Sequence, residues 1–429
     1  MVIFLRTFNI KTEEWKVVRS SFLYFFFLMS SYFILRPVRD EMGIQAGVEN
    51  MQWLFTGTFA VMLFIIPVFG YLMKKVSRHR LLLKIYLFFG LNILAFYLLF
   101  LVVPSPILAA SFFIWLSVFN LFVISIFWSF NADIFDSEQA KRLYGPIAAG
   151  GSCGAIFGPL VATYCVGFMG INNLLLISVF FLLIATFFLG HLMKAAKRSK
   201  EVNLQTSPIS SIWHGLILIR RSPFLKQVGL FILLYTSIST FLYFEQAHII
   251  SEAFTSSEDR TFYFGTRDLL VNSLTLILQF FITERFIRKA GITIALMIVP
   301  LIAVAGFFTL GLHQAVIALL IVQVLYRSFN FSIQRPSREI LFTRLSVHEK
   351  YNSKNFIDTV IYRGGDAISG WLFAGLNAII HSISLISLLA VPIAAAWMLT
   401  GFRLGKMFNA IPSKTDNYEE QTIIQKKSA

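Results

Sequence analysis

Charged side chains stand inside runs that are otherwise hydrocarbon. Arg327 falls in the middle of one apolar run, and Arg363 and Asp366 lie three apart on another, where they share a helical face. Glu245 and His248 share a face late in a third run, and Arg267 and Asp268 open a fourth. The segment ILRPVRDEMG (34–43) ends the first run, and its spacing sets Arg36, Arg39 and Asp40 on one face, with Pro37 bending the chain. An ion at the centre of a membrane helix costs at least ~2.5–3.5 kcal/mol on insertion scales, so each needs a partner or a ligand. Arg36, Arg39, Arg267, Arg327 and Arg363 outnumber what Glu245 and Asp366 can neutralise. Guanidinium is always charged and offers a planar fork to phosphate or carboxylate, so the surplus points to an anionic substrate. Glu245 or Asp366 can carry a coupling proton, and Asp40 can act in gating. The competing reading is that these charges close on one another as buried pairs that lock helices together. Lys84, one turn from the end of its run, can snorkel and needs no role.

Other chemistries leave no trace. The chain holds no G-x-x-x-x-G-K-[ST], so nothing in it reads as an ATP hydrolase, and HExxH, GxSxG and paired-cysteine patterns are absent too. The seven His are scattered without ligand spacing. Cys153 and Cys165 share one helix about 18 Å apart, too far for a disulfide. No metal, cofactor or enzymatic activity is expected, and any transport must run on gradients or exchange.

The elements that position these residues are membrane spans. Only 14% of the 429 residues are charged and 57% are hydrophobic, against about a quarter charged in soluble chains. Apolar runs long enough to cross ~30 Å of hydrocarbon fall at 17–35, 52–73, 81–103, 107–130, 145–168, 174–193, 227–248, 264–283, 291–312, 315–334, 355–376 and 382–402. Those near 264 and 355 are the most polar. The net charge of +15 is topological rather than a sign of a nucleic acid polymer as partner. Of the 37 Lys and Arg, thirty fall on one side of this twelve-span reading; Arg36, Arg39, Arg260 and Arg267 fall on the other, and Lys84, Arg327 and Arg363 within spans. That asymmetry puts both termini in the cytoplasm of a cell whose inner, plasma membrane holds the chain. The first run has no small-residue cleavage site after it and reads as a retained span.

The predicted fold class is all-α: twelve transmembrane helices in two six-helix halves, 1–193 and 227–405, followed by a polar tail, 406–429. Between the halves, 194–226 is basic, and Ile209, Ile212, Trp213, Leu216 and Ile217 recur at helical spacing, closed by Arg220, Arg221 and Pro223. This predicts an amphipathic helix on the inner membrane face, with a soluble linker helix as the alternative. The halves echo each other: SFN occurs at 129–131 and 328–330, and basic loops follow the second and eighth spans. Two six-span halves repeated in parallel are the layout of the major facilitator fold, with its cavity at the midplane. Gly150, Gly154 and Gly158 form small-xxx-small steps, which let two helices approach closely or serve as a seam at which halves rock.

Three stretches carry a family resemblance. YFILRPVRDEMG (32–43), FWSFNADIFDSEQAKRLYG (127–145) and NFIDTVIYRGGDAISG (355–370), with Glu245 in YFEQAH, resemble the ATP/ADP translocase family of nucleotide transporters, a branch of the major facilitator superfamily. The stretch from Glu138 to Tyr144 is the most telling. The resemblance implies exchange of ATP for ADP, or movement of nucleotides with protons, through cavity cations and a glutamate. It sets Arg39 where the family has a Lys, Glu245 at the acidic position of span seven, and Lys354 at a Lys just before span eleven. The chain departs from the family where an acid is expected, among Trp115, Leu116 and Ser117, and where a later Lys is expected, at Asp366. The expected function is secondary transport of an organic anion, with nucleotides leading. Two alternatives remain: a proton-driven exporter of a drug, siderophore or metabolite with a Phe-lined pocket, or a transporter-like scaffold or sensor whose internal charges form closed pairs.

Overall fold

In the bilayer core a chain must satisfy its own backbone polar groups, and helices do so within one segment. The computed structural model describes residues 11, 13–75, 78–196 and 212–411, and these form helices without a β-strand. The helices are α1 (Trp15–Gln45), α2 (Met51–Lys75), α3 (Arg78–Val102), α4 (Pro106–Ile134), α5 (Ser137–Met169), α6 (Asn173–Ala196), α7 (Ile212–Arg221) and α8 (Pro223–Ala253). They continue as α9 (Ser257–Leu278), α10 (Glu284–Leu312), α11 (Val316–Phe329), α12 (Arg335–Leu341), α13 (Val347–Phe356), α14 (Tyr362–Ile380) and α15 (Ile383–Ala410). Ten helical runs among the described residues are long and apolar enough to cross a membrane. One of them, 257–312, is 56 residues long and covers the eighth and ninth sequence spans, broken at Gly291 (φ 78°, ψ 168°). The run at span eleven, α13 to α14, is helical but more polar than the ten, because it carries Asp358, Arg363 and Asp366.

Local signals explain where the helices start. Asp136 caps α5 by accepting from the Gln139 N–H at 2.8 Å, and the Gln139 side chain accepts from the Asp136 N–H at 3.2 Å. Ser346 and Glu349 form the same reciprocal box at α13. Three π-helical turns interrupt the second half of the chain, at Gln279–Thr283, Asn330–Gln334 and Ile357–Ile361. Such turns are rare and cluster at functional sites.

Two boundaries differ from the sequence reading. The first run does not stop at residue 35: α1 carries on through Pro37 to Gln45, because Asp268 and Arg267 hold the charges of its last third. The basic stretch 285–289 is helical rather than a loop, and the break comes at Gly291 instead.

The chain divides into two compact units, Met1–Gln205 with Ile250–Ser273, and Thr206–Ile249 with Leu274–Ala429. The first unit is built around α1, which packs most extensively on α5 and α6 and also on α4. Gly150, Gly154 and Gly158 line the α5 face that meets α1: a Cβ at Gly150 or Gly154 would strike the Phe22 or Phe26 carbonyl, and one at Gly158 would lie 2.7 Å from the Phe33 Cβ. The small-residue steps are therefore a packing face within this unit. In the second unit α10 packs on α15, and α7 packs on α13, where Gly215 meets the Asn352 carbonyl and Phe356. The linker helix thus spends part of its surface on protein; Ile209 and the basic stretch before it lie outside the described residues.

Candidate functional site

The last third of α1 carries a cluster of ions in the first unit. Arg36, Arg39 and Asp40 stand on one face, as their spacing requires, about 32–38 Å along the axis from Trp15. The partners come from α9. The Arg267 Nη2 lies 2.7 Å from Asp40 Oδ2 and 2.7 Å from Asp268 Oδ1, and its Nε donates to Asp268 Oδ1 at 3.0 Å. Arg36 Nε approaches Asp268 Oδ2 at 3.4 Å, and Arg39 Nη1 approaches Asp40 Oδ1 at 3.5 Å. Three guanidiniums thus surround two carboxylates, which leaves one positive charge over. Their enclosure is unequal: the Arg267 side chain is 0% exposed, whereas Arg36 and Arg39 keep 19% and 21%.

Arg39 is also held on its flank by α4. Its Nε donates to the Phe113 carbonyl at 3.2 Å, its Nη2 to Ser117 Oγ at 3.4 Å, and its Cζ sits 3.6 Å from the Phe113 ring centroid. These contacts orient the fork without neutralising it. Beside the cluster, Arg260 grips Glu41 in bidentate fashion at 2.7 and 2.8 Å and donates to the carbonyls of Phe254 and Thr255. Glu41, Arg260 and the pairing role of Asp268 escaped the sequence reading. Glu41 follows Asp40 directly, and its burial in a continuing α1 was the missing signal.

The remaining predicted residues belong to the second unit and do not form one contiguous ion cluster. Glu245 of α8 is 1% exposed and accepts a short hydrogen bond from Ser387 of α15, with no cation paired to it among the described residues. Asp366 of α14 accepts from Thr240 at 3.3 Å. Arg327 donates to Gln323 Oε1 at 2.7 Å, and the Gln323 amide donates to the Leu242 carbonyl at 3.1 Å. Arg363 follows the π turn at Ile357–Ile361, with its Cζ 5.7 Å from the Tyr362 ring. Lys354 pairs with Glu339 at 2.5 Å on a half-exposed surface. Near Arg327, Tyr235, Tyr326, Tyr362 and Trp397 form an aromatic set, with Asn330 donating to the Tyr235 hydroxyl at 3.1 Å. Among the described residues no His, Cys, Asp and Glu side chains gather as metal ligands.

The comparisons bear on what such a scaffold is. A model of the Major Facilitator Superfamily matches residues 14–344. The ADP,ATP carrier protein 1 of Chlamydia muridarum (strain MoPn / Nigg) is 22% identical over 510 aligned positions, covering 99% of this chain and 95% of that protein. Its namesake in Chlamydia pneumoniae is 20% identical, covering 99% and 97%. In fold, the chain is similar to the nucleoside transporter NupG, with a TM-score of 0.65 at 14% identity over 93% of this chain and 99% of that one. It is also similar to a POT family peptide transporter, with a TM-score of 0.63 at 12% identity over 92% and 97%. At these identities the structural likenesses speak to fold alone.

Proposed function

We propose, for a chain that belongs to the major facilitator superfamily, that it carries a nucleotide-like organic anion across the inner membrane by alternating access. The observation that carries this reading is the unequal enclosure of the arginines on α1 and α9. Arg267 spends its fork on Asp40 and Asp268, while Arg36 and Arg39 stay partly exposed in a set of three guanidiniums and two carboxylates. One helical turn separates Arg36 from Arg39, so their forks are spaced to take neighbouring oxygens of a phosphate chain. Arg267 is then a positioning residue, and Asp40 and Asp268 decide how far each neighbouring guanidinium is free. The ADP,ATP carriers of Chlamydia support nucleotides as the substrate class. The charge asymmetry of the loops supports both termini in the cytoplasm.

Glu245 is the proposed coupling group. A carboxylate that meets a hydroxyl and no cation can exchange a proton without breaking an ion pair. Asp366, served by Thr240, is the second candidate.

Uptake of labelled ATP and ADP into proteoliposomes tests the reading, with nucleosides, inorganic phosphate and dicarboxylates as competitors. Nucleotides are expected to be carried and to compete, and Arg39→Ala is expected to weaken apparent affinity about 30-fold or more, as loss of one desolvated charge contact does. Unchanged nucleotide uptake by Arg39→Ala would sink the anion-clamp role. Competition by dicarboxylates alone would retire nucleotides and keep the fold.

A further inference from the structure

Away from the ion cluster, a groove of about 600 Å³ opens between α2, α3 and α4 of the first unit. Its walls are apolar, and its rim is open: Phe88 is 58% exposed, Val68 47% and Val61 37%, with Ile114, Val118 and Phe122 forming the floor along α4. From Ser111 to Phe122 the lining follows about 16 Å of helix axis, a length suited to an extended hydrocarbon chain. The polar groups in the wall are Ser111, Lys84 and the buried indole N–H of Trp115, and the Ser111 hydroxyl already donates to the Ile107 carbonyl at 2.8 Å. Lys84 is the third residue of the apolar run 82–102, is exposed, and pairs with no acid among the described residues. A long apolar slot whose exposed polar group is one ammonium offers little with which to read a polar solute. It does match an amphiphile with an anionic head.

We propose that this groove holds an acyl chain of an anionic phospholipid from the cytoplasmic leaflet, with the lipid phosphate on Lys84. The leaflet follows from the orientation proposed above, in which the α2–α3 turn faces the cytoplasm. Lys84 extends along the helix to the headgroup level, where a lysine contributes about fivefold in favour of an anionic lipid. A zwitterionic lipid offers the same chain, but its own ammonium offsets the phosphate, so the lysine sets the preference and the apolar wall supplies the retention. Arg36 and Arg39 do not line the groove, and it ties lipid composition to the three helices that do.

Native mass spectrometry tests this on the full chain extracted from membranes holding equal phosphatidylglycerol and phosphatidylethanolamine. The wild type is expected to retain phosphatidylglycerol preferentially, and Lys84→Ala to lower the retained ratio about fivefold without lowering the melting temperature. Lys84→Arg keeps the preference, and Val118→Trp, which fills the groove, loses retention of both lipids. The control Arg285→Ala, an exposed cation of the second unit, leaves the ratio unchanged. Equal retention of the two lipids by the wild type, or an unchanged ratio in Lys84→Ala, overturns the proposal. So does displacement of the lipid by millimolar inorganic phosphate, because the head alone would then be the ligand. Lipid retention is read without transport, so a chain that keeps its lipid preference but carries no nucleotide sinks the transport reading alone.

Discussion

Arg267 of the first unit is wedged between two carboxylates, while Glu245 of the second meets a single hydroxyl. Both side chains are buried in segments that must cross hydrocarbon, yet they meet the cost of burial in different ways. In the first unit charge answers charge: Arg36, Arg39 and Arg267 interlock with Asp40 and Asp268, and Arg260 closes on Glu41. Such a cluster is rigid, because removing one member strands its partner without water. At Glu245 a neutral donor answers the carboxylate, and adding a proton leaves no cation orphaned. The arginine-rich cluster suits holding and orienting an anion, and the hydroxyl-served acid suits changing protonation.

The largest effect expected from this contrast is on stability. Arg267→Met leaves the buried Asp40 and Asp268 only the longer contacts to Arg39 and Arg36, and about 3–5 kcal/mol of stability is expected to go, read by denaturant or thermal unfolding in detergent. Glu245→Gln keeps shape and can keep its hydrogen bond to Ser387, so its cost is expected to stay under about 1 kcal/mol. Equal losses in the two variants would erase the distinction between the units.

Next in size is the Arg260–Glu41 pair. A double-mutant cycle on Arg260→Gln and Glu41→Gln is expected to return a coupling of about 1.5–3 kcal/mol, the range of hydrogen bonds between charged groups. A coupling near zero would mean that the bidentate geometry contributes nothing beyond packing. For Glu245 the sharper readout is functional. Nucleotide uptake by Glu245→Gln is expected to lose its response to an imposed pH gradient while equilibrium binding persists. A gradient response that survives moves the coupling role to Asp366.

The smallest effect lies at the α1 entrance, outside the span. Burial pushes the Glu14 carboxyl up, but hydrogen bonds from Arg142, the Lys11 N–H and Gln139 outweigh it and hold the group below its ordinary value. A carboxyl held down stabilises the fold at pH values above its unfolded pKa of about 4.3, and that contribution drains away as pH falls through the lowered value. Glu14→Gln is therefore expected to lower the melting temperature slightly at neutral pH and to flatten its decline in acid. An identical acid profile in the two proteins would leave the pair without measurable weight.

Much of the architecture was legible one residue at a time. Apolar runs announce helices because lipid offers no partner to a bare backbone, and the spacing of Gly150, Gly154 and Gly158 announced a close helix contact. The shared face of Arg36, Arg39 and Asp40 followed from the 3.6-residue turn alone. The first apolar run stopped at residue 35, whereas the helix continues through Pro37 to Gln45, where ion pairs with Arg267 and Asp268 hold its charges. For Arg267 the sequence left open a substrate contact or a buried pair, and the fold sets this residue against Asp40 and Asp268.

Neighbours along one helix were enough to reveal a polytopic membrane protein and which of its charges share a face. Only the tertiary structure decided the pairing, that Asp40 meets an arginine 227 positions away and that Glu245 meets Ser387, 142 positions away. The physical reason is range. Backbone hydrogen bonds and helical periodicity act within a few residues, whereas a charge buried in hydrocarbon takes whichever partner the packing of distant helices brings to it.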